Sequence, residues 1–379
     1  MSFDRTFFAT KLREYRGQFL LTEANVAKDT GIAEGRVRAL EAGEVNPTGD
    51  EILILADFFR CDYRFFISNE RVAPFKQTGE LFRRHGEAFS ADDRRAIQEF
   101  LYLCECEAFL MQELSVPIKA PFTFHKQGTY LKGHGIEAAA GLREYLGYTP
   151  RHAIPNVFAD LRSLGLHVFR RELANRQISG VFLRHPTAGP CVLVNYSEDV
   201  FRQQFTALHE TGHAFLDDGN EVVVSFATWS RDDLIEVRAD AFASHVLISP
   251  ALLAELPDPR KWNSDDLVRW ALKLHVNSQT LLRSLRDAGR LTREEAYERR
   301  SWRVPVSKKV DPELEGLSGM SLERRQALLK RGLSSYYVQL CFGALHADRI
   351  TAARAAEMLL TDLDGLAAVA SLFNIDVYA

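Results

Sequence analysis

Residues 205 to 218 read "FTALHETGHAFLDD", with His209 and His213 four apart, Glu210 directly after the first and Gly212 directly before the second. On an α-helix, positions four apart lie one turn apart and about 40° around the axis, so the two imidazoles share a face. Two nitrogens so placed suit a tetrahedral zinc ion, and Glu210 is then placed to take the proton of a water at the open coordination position. Gly212, with no side chain, is expected to leave room for the close approach of backbone or substrate. A catalytic zinc needs a third protein ligand. The next helical pattern, "EVRADAFASHVLISP", offers Glu236, 23 residues after His213, and Asp240 one turn further along the same face. Glu236 is the expected third ligand. Asp240 is expected to accept the free ring N–H of a zinc histidine and fix its tautomer. The bland alternative for this pair is two solvated acids on a surface helix. His245 lies about 180° around the helix from Glu236, and His167, His185 and His275 read as core-edge or surface histidines.

These side chains need rigid elements behind them. Three β-branched or aromatic runs, "LHVFRREL", "ISGVFLRH" and "CVLVNYS", precede the motif and predict a small antiparallel sheet. Helices are predicted over 199–217 and 233–248, with "EVVVSFATWSRDD" between them as strand or loop. Residues 251–379 read as helical throughout, apart from "RRSWRVPVSKKVDPELEGLSG", a basic linker containing proline and glycine. Upstream, residues 7–67 are a succession of short helical patterns punctuated by Gly31, Gly43 and Pro47. The run "SADDRRAIQEFLYLCECEAFLMQELS" predicts a capped amphipathic helix over 90–115, either a connector or a dimerising helix. The expected class is α+β, mostly helical.

Composition narrows the field. A chain of 379 residues suits two or three domains, and 46% hydrophobic with 26% charged residues is ordinary for a soluble globular protein. A net charge of -4 does not advertise a nucleic-acid binder, although it can conceal a local basic face. No secretory signal and no apolar run of membrane-spanning length is read, so the expectation is a cytoplasmic protein without a membrane partner. Cys61, Cys104, Cys106, Cys191 and Cys341 show no paired zinc spacing and fit reduced thiols.

On the motifs quoted, together with "VLVNY" and "RQQFTALHETGHAFL", residues 135–295 resemble the ImmA/IrrE family of metallopeptidases. Leu208 stands where that family more often has alanine. The segment "VRWALKLHVNSQTLLRSLRDAGRL" resembles the family's helical extension, and residues 296–379 include a stretch similar to the helical tail of longer members. The resemblance implies a gluzincin-like core, Zn2+ as cofactor on His209, His213 and Glu236, Glu210 as catalytic base, and a protein substrate. That substrate would be a repressor of a phage, mobile-element or stress-response system.

Residues 1–70, through "KLREYRGQFLLTEANVAKDTGIAEGRVRALEAGEVNPTGDEILILADFF", resemble the XRE (phage repressor and Cro-like) helix-turn-helix domain, a five-helix type. Residues 71–134 then form a helical connector. The resemblance implies DNA as a partner, with residues 34–41 in the major groove, Arg36 and Arg38 on bases or phosphates, and Arg13, Arg16 and Lys28 near the backbone. A homodimer through this domain or through helix 90–115 is an open reading, as is a helix-turn-helix kept for protein contact. Three functions compete: a zinc endopeptidase coupled to a DNA-binding domain in one regulator, a non-cleaving transcription factor whose zinc fold senses a ligand or partner, and a toxin-antitoxin or phage-defence component. The sequence singles out no oxyanion-stabilising residue among Tyr196, Tyr297 and the histidines.

Overall fold

Thr22 and Thr48 start two N-terminal helices in the same way. Each hydroxyl accepts from the N–H three residues on, while the side chain there, Asn25 or Glu51, returns to the N–H of the cap. These helices are α2 (Glu23–Thr30) and α4 (Gly49–Phe58); with α1 (Arg5–Gln18), α3 (Glu34–Glu41) and α5 (Tyr63–Ile67) they make a five-helix cluster. Gly31, at φ +74°, ends α2 in the left-handed conformation and opens the turn into α3. Leu12, Val26, Val37, Leu40 and Leu55 are fully buried between the helices. Lys11 is buried as well, and its ammonium donates to the carbonyls of Phe65 (2.5 Å) and Ser68 (2.6 Å).

The computed structural model describes residues 3–61, 63–68, 81–82, 86–125, 129, 131–217, 222–226 and 234–377. It divides into two units, Met1–Glu105 with Leu173–Asn175, and Cys106–Glu172 with Arg176–Ala379. Helix α6 (Ala91–Glu113) begins in the first and ends in the second. Ile97, Phe100, Leu101, Leu103 and Cys104 on one side and Gln98, Tyr102 and Cys106 on the other are all buried, so the expected two-faced helix is covered on most sides. Phe109 is its exposed large apolar side chain.

The second unit holds β1 (His167–Arg171), β2 (Ile178–His185), β3 (Gly189–Asn195) and β4 (Val222–Phe226), in the order β1-β3-β2-β4. The sheet is mixed, which corrects the antiparallel expectation. β1 runs parallel to β3, with His167 opposite Cys191, whereas β2 is antiparallel to both β3 and β4. The reason is local: β2 and β3 close as a tight hairpin with His185 opposite Gly189, so β1 pairs on the far side of β3. The sequence reading took consecutive strands as neighbours, which holds only about two-thirds of the time. The His185 ring accepts the N–H groups of Thr187 and Ala188 and fixes the hairpin. Of the stretch "EVVVSFATWSRDD", residues 222–226 are strand and 227–233 lie outside the described residues.

Helix α9 (Val200–Leu216) packs on β2 and β3, with Thr206 and Glu210 over Gly180 of β2, and Phe201, Phe205 and Leu208 share a core with α7 (Leu131–Tyr145), α8 (Val157–Ser163) and α10 (Leu234–Leu247). Helix α10 approaches both neighbours at glycines. A Cβ at Gly135 would lie 2.4 Å from the Arg238 carbonyl oxygen, and one at Gly212 would lie 3.2 Å from Phe242 and 3.3 Å from the Ala239 Cα. Gly212 therefore lets two helices meet, so of the two approaches expected there, backbone or substrate, the structure shows that of backbone.

The run 299–319, expected as a basic linker, is a strap. Arg170 is fully buried with its guanidinium over the Phe158 ring; it donates to both oxygens of Asp311 (2.7 and 3.0 Å) and to Glu313 (2.6 Å), which also pairs with Arg162 (2.5 Å). Lys309 bonds Asp199 (2.8 Å), the residue that caps α9 by accepting from Phe201 and Arg202. Beyond the strap, Glu172 donates to the Lys330 carbonyl and closes the β1 edge, and Tyr337 is buried against Phe169. Helices Gly319–Lys330, Ser335–His346, Ala352–Met358 and Leu363–Leu372 complete a mostly helical chain.

Two outcomes follow. Gly135→Ala should destabilise the protein by about 2 kcal/mol or more, because a backbone carbonyl has to move; Gly35→Ala, with nothing within 4 Å of the new carbon, should be neutral or stabilise by up to about 1 kcal/mol. Thermal unfolding measures both. Burial alone would raise the Glu313 carboxyl, but Arg162 and Arg170 hold it down to about 2. Its depressed pKa stabilises the fold above the unfolded-state value near about 4.3, and that contribution is lost as pH falls toward 2. Unfolding temperature should drop across this window, and Glu313→Gln should start lower and vary less.

Candidate metal centre

The contact of α9 with α10 brings His209, His213 and Glu236 together. The two Nε2 atoms are 3.1 Å apart, and the Glu236 carboxylate is 3.2 Å from His209 Nε2 and 3.5 Å from His213 Nε2. One ligand atom from each lies within 4.8 Å of the others. Both imidazoles are buried. Burial would raise the Glu236 carboxyl, yet when both rings are protonated their hydrogen bonds and charge hold it at about 2.

The opposite ring nitrogens explain which tautomer faces inward. His213 Nδ1 is 2.5 Å from Asp217 Oδ2, and Asp217 also contacts the Arg238 guanidinium. His209 Nδ1 is 3.3 Å from Asp240 Oδ1, while Asp240 Oδ2 accepts from Arg283 at 3.2 Å. Each carboxylate favours a proton on Nδ1, which leaves Nε2 with a lone pair. Two lone pairs facing each other at this distance repel unless a cation lies between them. A set of two imidazole nitrogens and one carboxylate fits zinc. Charge agrees: Glu210, Glu236, Asp217 and Asp240 stand against Arg238 and Arg283, leaving two negative charges for a divalent ion to cancel.

Glu210 is fully buried, and neither of its carboxylate oxygens has a well-formed hydrogen bond among the described residues. Burial raises its pKa, opposed by the two histidines and by Ser225 on β4. Gly180 on β2 makes the space: a Cβ there would sit 2.7 Å from Glu210 Oε1. The sequence reading missed Asp217, Arg238, Gly180 and Ser225. Asp217 had a signal, one turn after His213, and Arg238 stands two residues after Glu236; Gly180 and Ser225 have none, because only strand pairing brings them here.

The other histidines have partners elsewhere. His245 bonds the Ala241 carbonyl, His275 that of Ile154, and His167 pairs with buried Glu107. Tyr196 lies beside Arg170, and Tyr297 is exposed under Arg300. All five cysteines are buried, and none forms a disulfide among the described residues.

In the first unit, Arg16 forks onto Glu41 (2.7 and 2.8 Å) and so joins α1 to α3. Arg36 forks onto Glu51 and also donates to the Asn46 carbonyl. Arg38 is 62% exposed and pairs with Glu23 and Glu34; Arg13 and Lys28 are exposed.

Residues 161–286 match the family model described as the IrrE N-terminal-like domain, a metallopeptidase-type domain. Residues 12–66 match the helix-turn-helix model. The chain joins a helix-turn-helix to an IrrE N-terminal-like domain. No curated protein matches it. All the residues converging on His209 and His213, from Gly180 to Arg283, lie inside the IrrE N-terminal-like match, and Arg13, Arg16, Lys28, Arg36 and Arg38 lie inside the helix-turn-helix match. Among the described residues no helix is long and apolar enough to cross a membrane.

Arg16→Ala strands the buried Glu41 carboxylate and should cost on the order of 2 kcal/mol in denaturant unfolding. Arg38→Ala removes an exposed side chain and should unfold in denaturant like the parent, so a loss of DNA affinity in that variant reports contact and not fold.

Proposed function

We propose that this chain is a zinc-dependent endopeptidase joined to a DNA-binding domain, a regulator that acts by cleaving a repressor or partner protein. The observation that carries the reading is Glu210: a buried carboxylate, poorly hydrogen-bonded, beside three converging ligands. His209 Nε2, His213 Nε2 and the Glu236 carboxylate would hold the ion. Zinc bound there supplies Lewis acidity toward a peptide carbonyl and makes water a nucleophile at neutral pH.

The chain's own groups do the rest. Glu210 takes the proton of the water as its oxygen bonds to the carbonyl carbon, then delivers that proton to the amine nitrogen as the C–N bond breaks. Its raised pKa suits a group that must both accept and return a proton. Asp217 and Asp240 keep the imidazoles oriented. Among the described residues strand β4 pairs with β2 on one side only, and it carries Ser225 next to Glu210, so an extended peptide can add along its other edge with its scissile bond near the base. In the N-terminal domain, exposed Arg38 on α3 contacts bases or phosphates and Arg13 and Lys28 the DNA backbone, whereas Arg36 and Arg16 join them only by leaving Glu51 and Glu41.

Glu210→Gln keeps size and a hydrogen-bonding oxygen but removes the base. Retained metal and fold are expected, with cleavage of proteins encoded beside its gene reduced on the order of a hundredfold or more. His209→Ala and His213→Ala should each remove most of the metal. If the Gln variant still switches the regulated genes while the histidine variants do not, the fold senses and does not cut.

A further inference from the structure

The two ligand histidines are not held alike. On the His209 side, Asp240 and Arg283 are partly solvent-exposed and the contact to the ring is 3.3 Å. On the His213 side everything is buried. Asp217 is 5% exposed and Arg238 6%, and the carboxylate is 2.5 Å from the ring nitrogen. Arg238 is also the residue whose carbonyl α7 approaches at Gly135, two positions after Glu236 on α10. One turn of α10 thus supplies both the carboxylate that faces the two Nε2 atoms and the cation that neutralises Asp217, and a glycine contact pins that turn from behind.

We propose that Asp217 and Arg238 form a buried positioning pair that sets, through His213, how tightly the centre holds its cation. The inference rests on the metal-centre reading above. Asp217 orients the ring and raises the electron density at Nε2; Arg238 keeps a carboxylate tolerable in a site already rich in negative charge. Burial shields this pair from salt, whereas the Asp240–Arg283 pair is open to screening. The two pairs therefore divide the work: the inner one fixes affinity, and the outer one trims it in a salt-dependent way.

The test is zinc affinity of the full chain, measured by chelator competition at low and high salt, beside thermal unfolding of the metal-free protein. Asp217→Asn is expected to weaken zinc binding by about 10- to 100-fold at both salt concentrations. Asp240→Asn should weaken it less, with an effect that shrinks in high salt. Arg238→Lys should recover only part of the parent affinity, because a compact, strongly hydrated ammonium replaces the planar guanidinium beside the buried carboxylate. Arg238→Ala leaves a buried carboxylate unpaired and can fail to fold, so the double variant Asp217→Asn with Arg238→Met removes both charges together; it should unfold near the parent when metal-free and still bind zinc about as weakly as Asp217→Asn. Parent-like zinc affinity in Asp217→Asn and in the double variant overturns the inference alone. A parent protein that binds no zinc overturns the metal-centre reading and this inference with it.

Discussion

Everything around the centre depends on how closely α10 can lie against α7 and α9. Gly135 and Gly212 remove the side chains that would hold those helices apart, and the second distance is short enough that an alanine carbon would press on Phe242 and Ala239. Only at this separation does a carboxylate on one helix reach two imidazoles on another. Helix propensity argues against glycine at both places, at about 1 kcal/mol each. That cost is offset by packing, and the packing is what turns a sequence motif into a shared volume a few ångströms across.

Charge burial is the second recurring theme. Arg16 with Glu41, Arg170 with Asp311 and Glu313, and Arg238 with Asp217 each join elements distant in sequence through a forked or closely matched guanidinium. Pairs of this kind add little stability compared with an apolar core, yet breaking one partner is expensive. They act as registration marks: each is satisfied in one arrangement of its helices or strands. Glu210 differs from these carboxylates: it is buried with neither a guanidinium nor a well-formed hydrogen bond among the described residues, and it stands where chemistry would use one.

Much of this was legible in the sequence because it is local. The helical spacing of His209, Glu210 and His213 requires no fold to interpret, and the start and stop residues of most helices lie within a few positions of where they act. Glu236 and Asp240 were legible because their four-residue spacing is again helical. What escaped is what pairing brings together across the chain. The parallel β1–β3 pair depends on a hairpin competing for one strand edge, and Gly180 has meaning only once β2 lies beneath α9. The acids of "VDPELE" were hidden by the basic residues around them; nothing local says that Asp311 and Glu313 will meet Arg170.

The strap moves the point at which this metallopeptidase-type domain ends. By sequence similarity it stops at residue 286, some two dozen positions before the carboxylates that neutralise Arg170 and the lysine that grips the cap of α9. In space these belong to the same object. A chain cut at the edge of the recognisable domain would bare two buried arginines and loosen the first turn of the helix that carries both histidines. The natural unit of inheritance and the physical unit of folding are here of different lengths, and the longer one is the one that matters for anyone who wishes to move this centre into another protein.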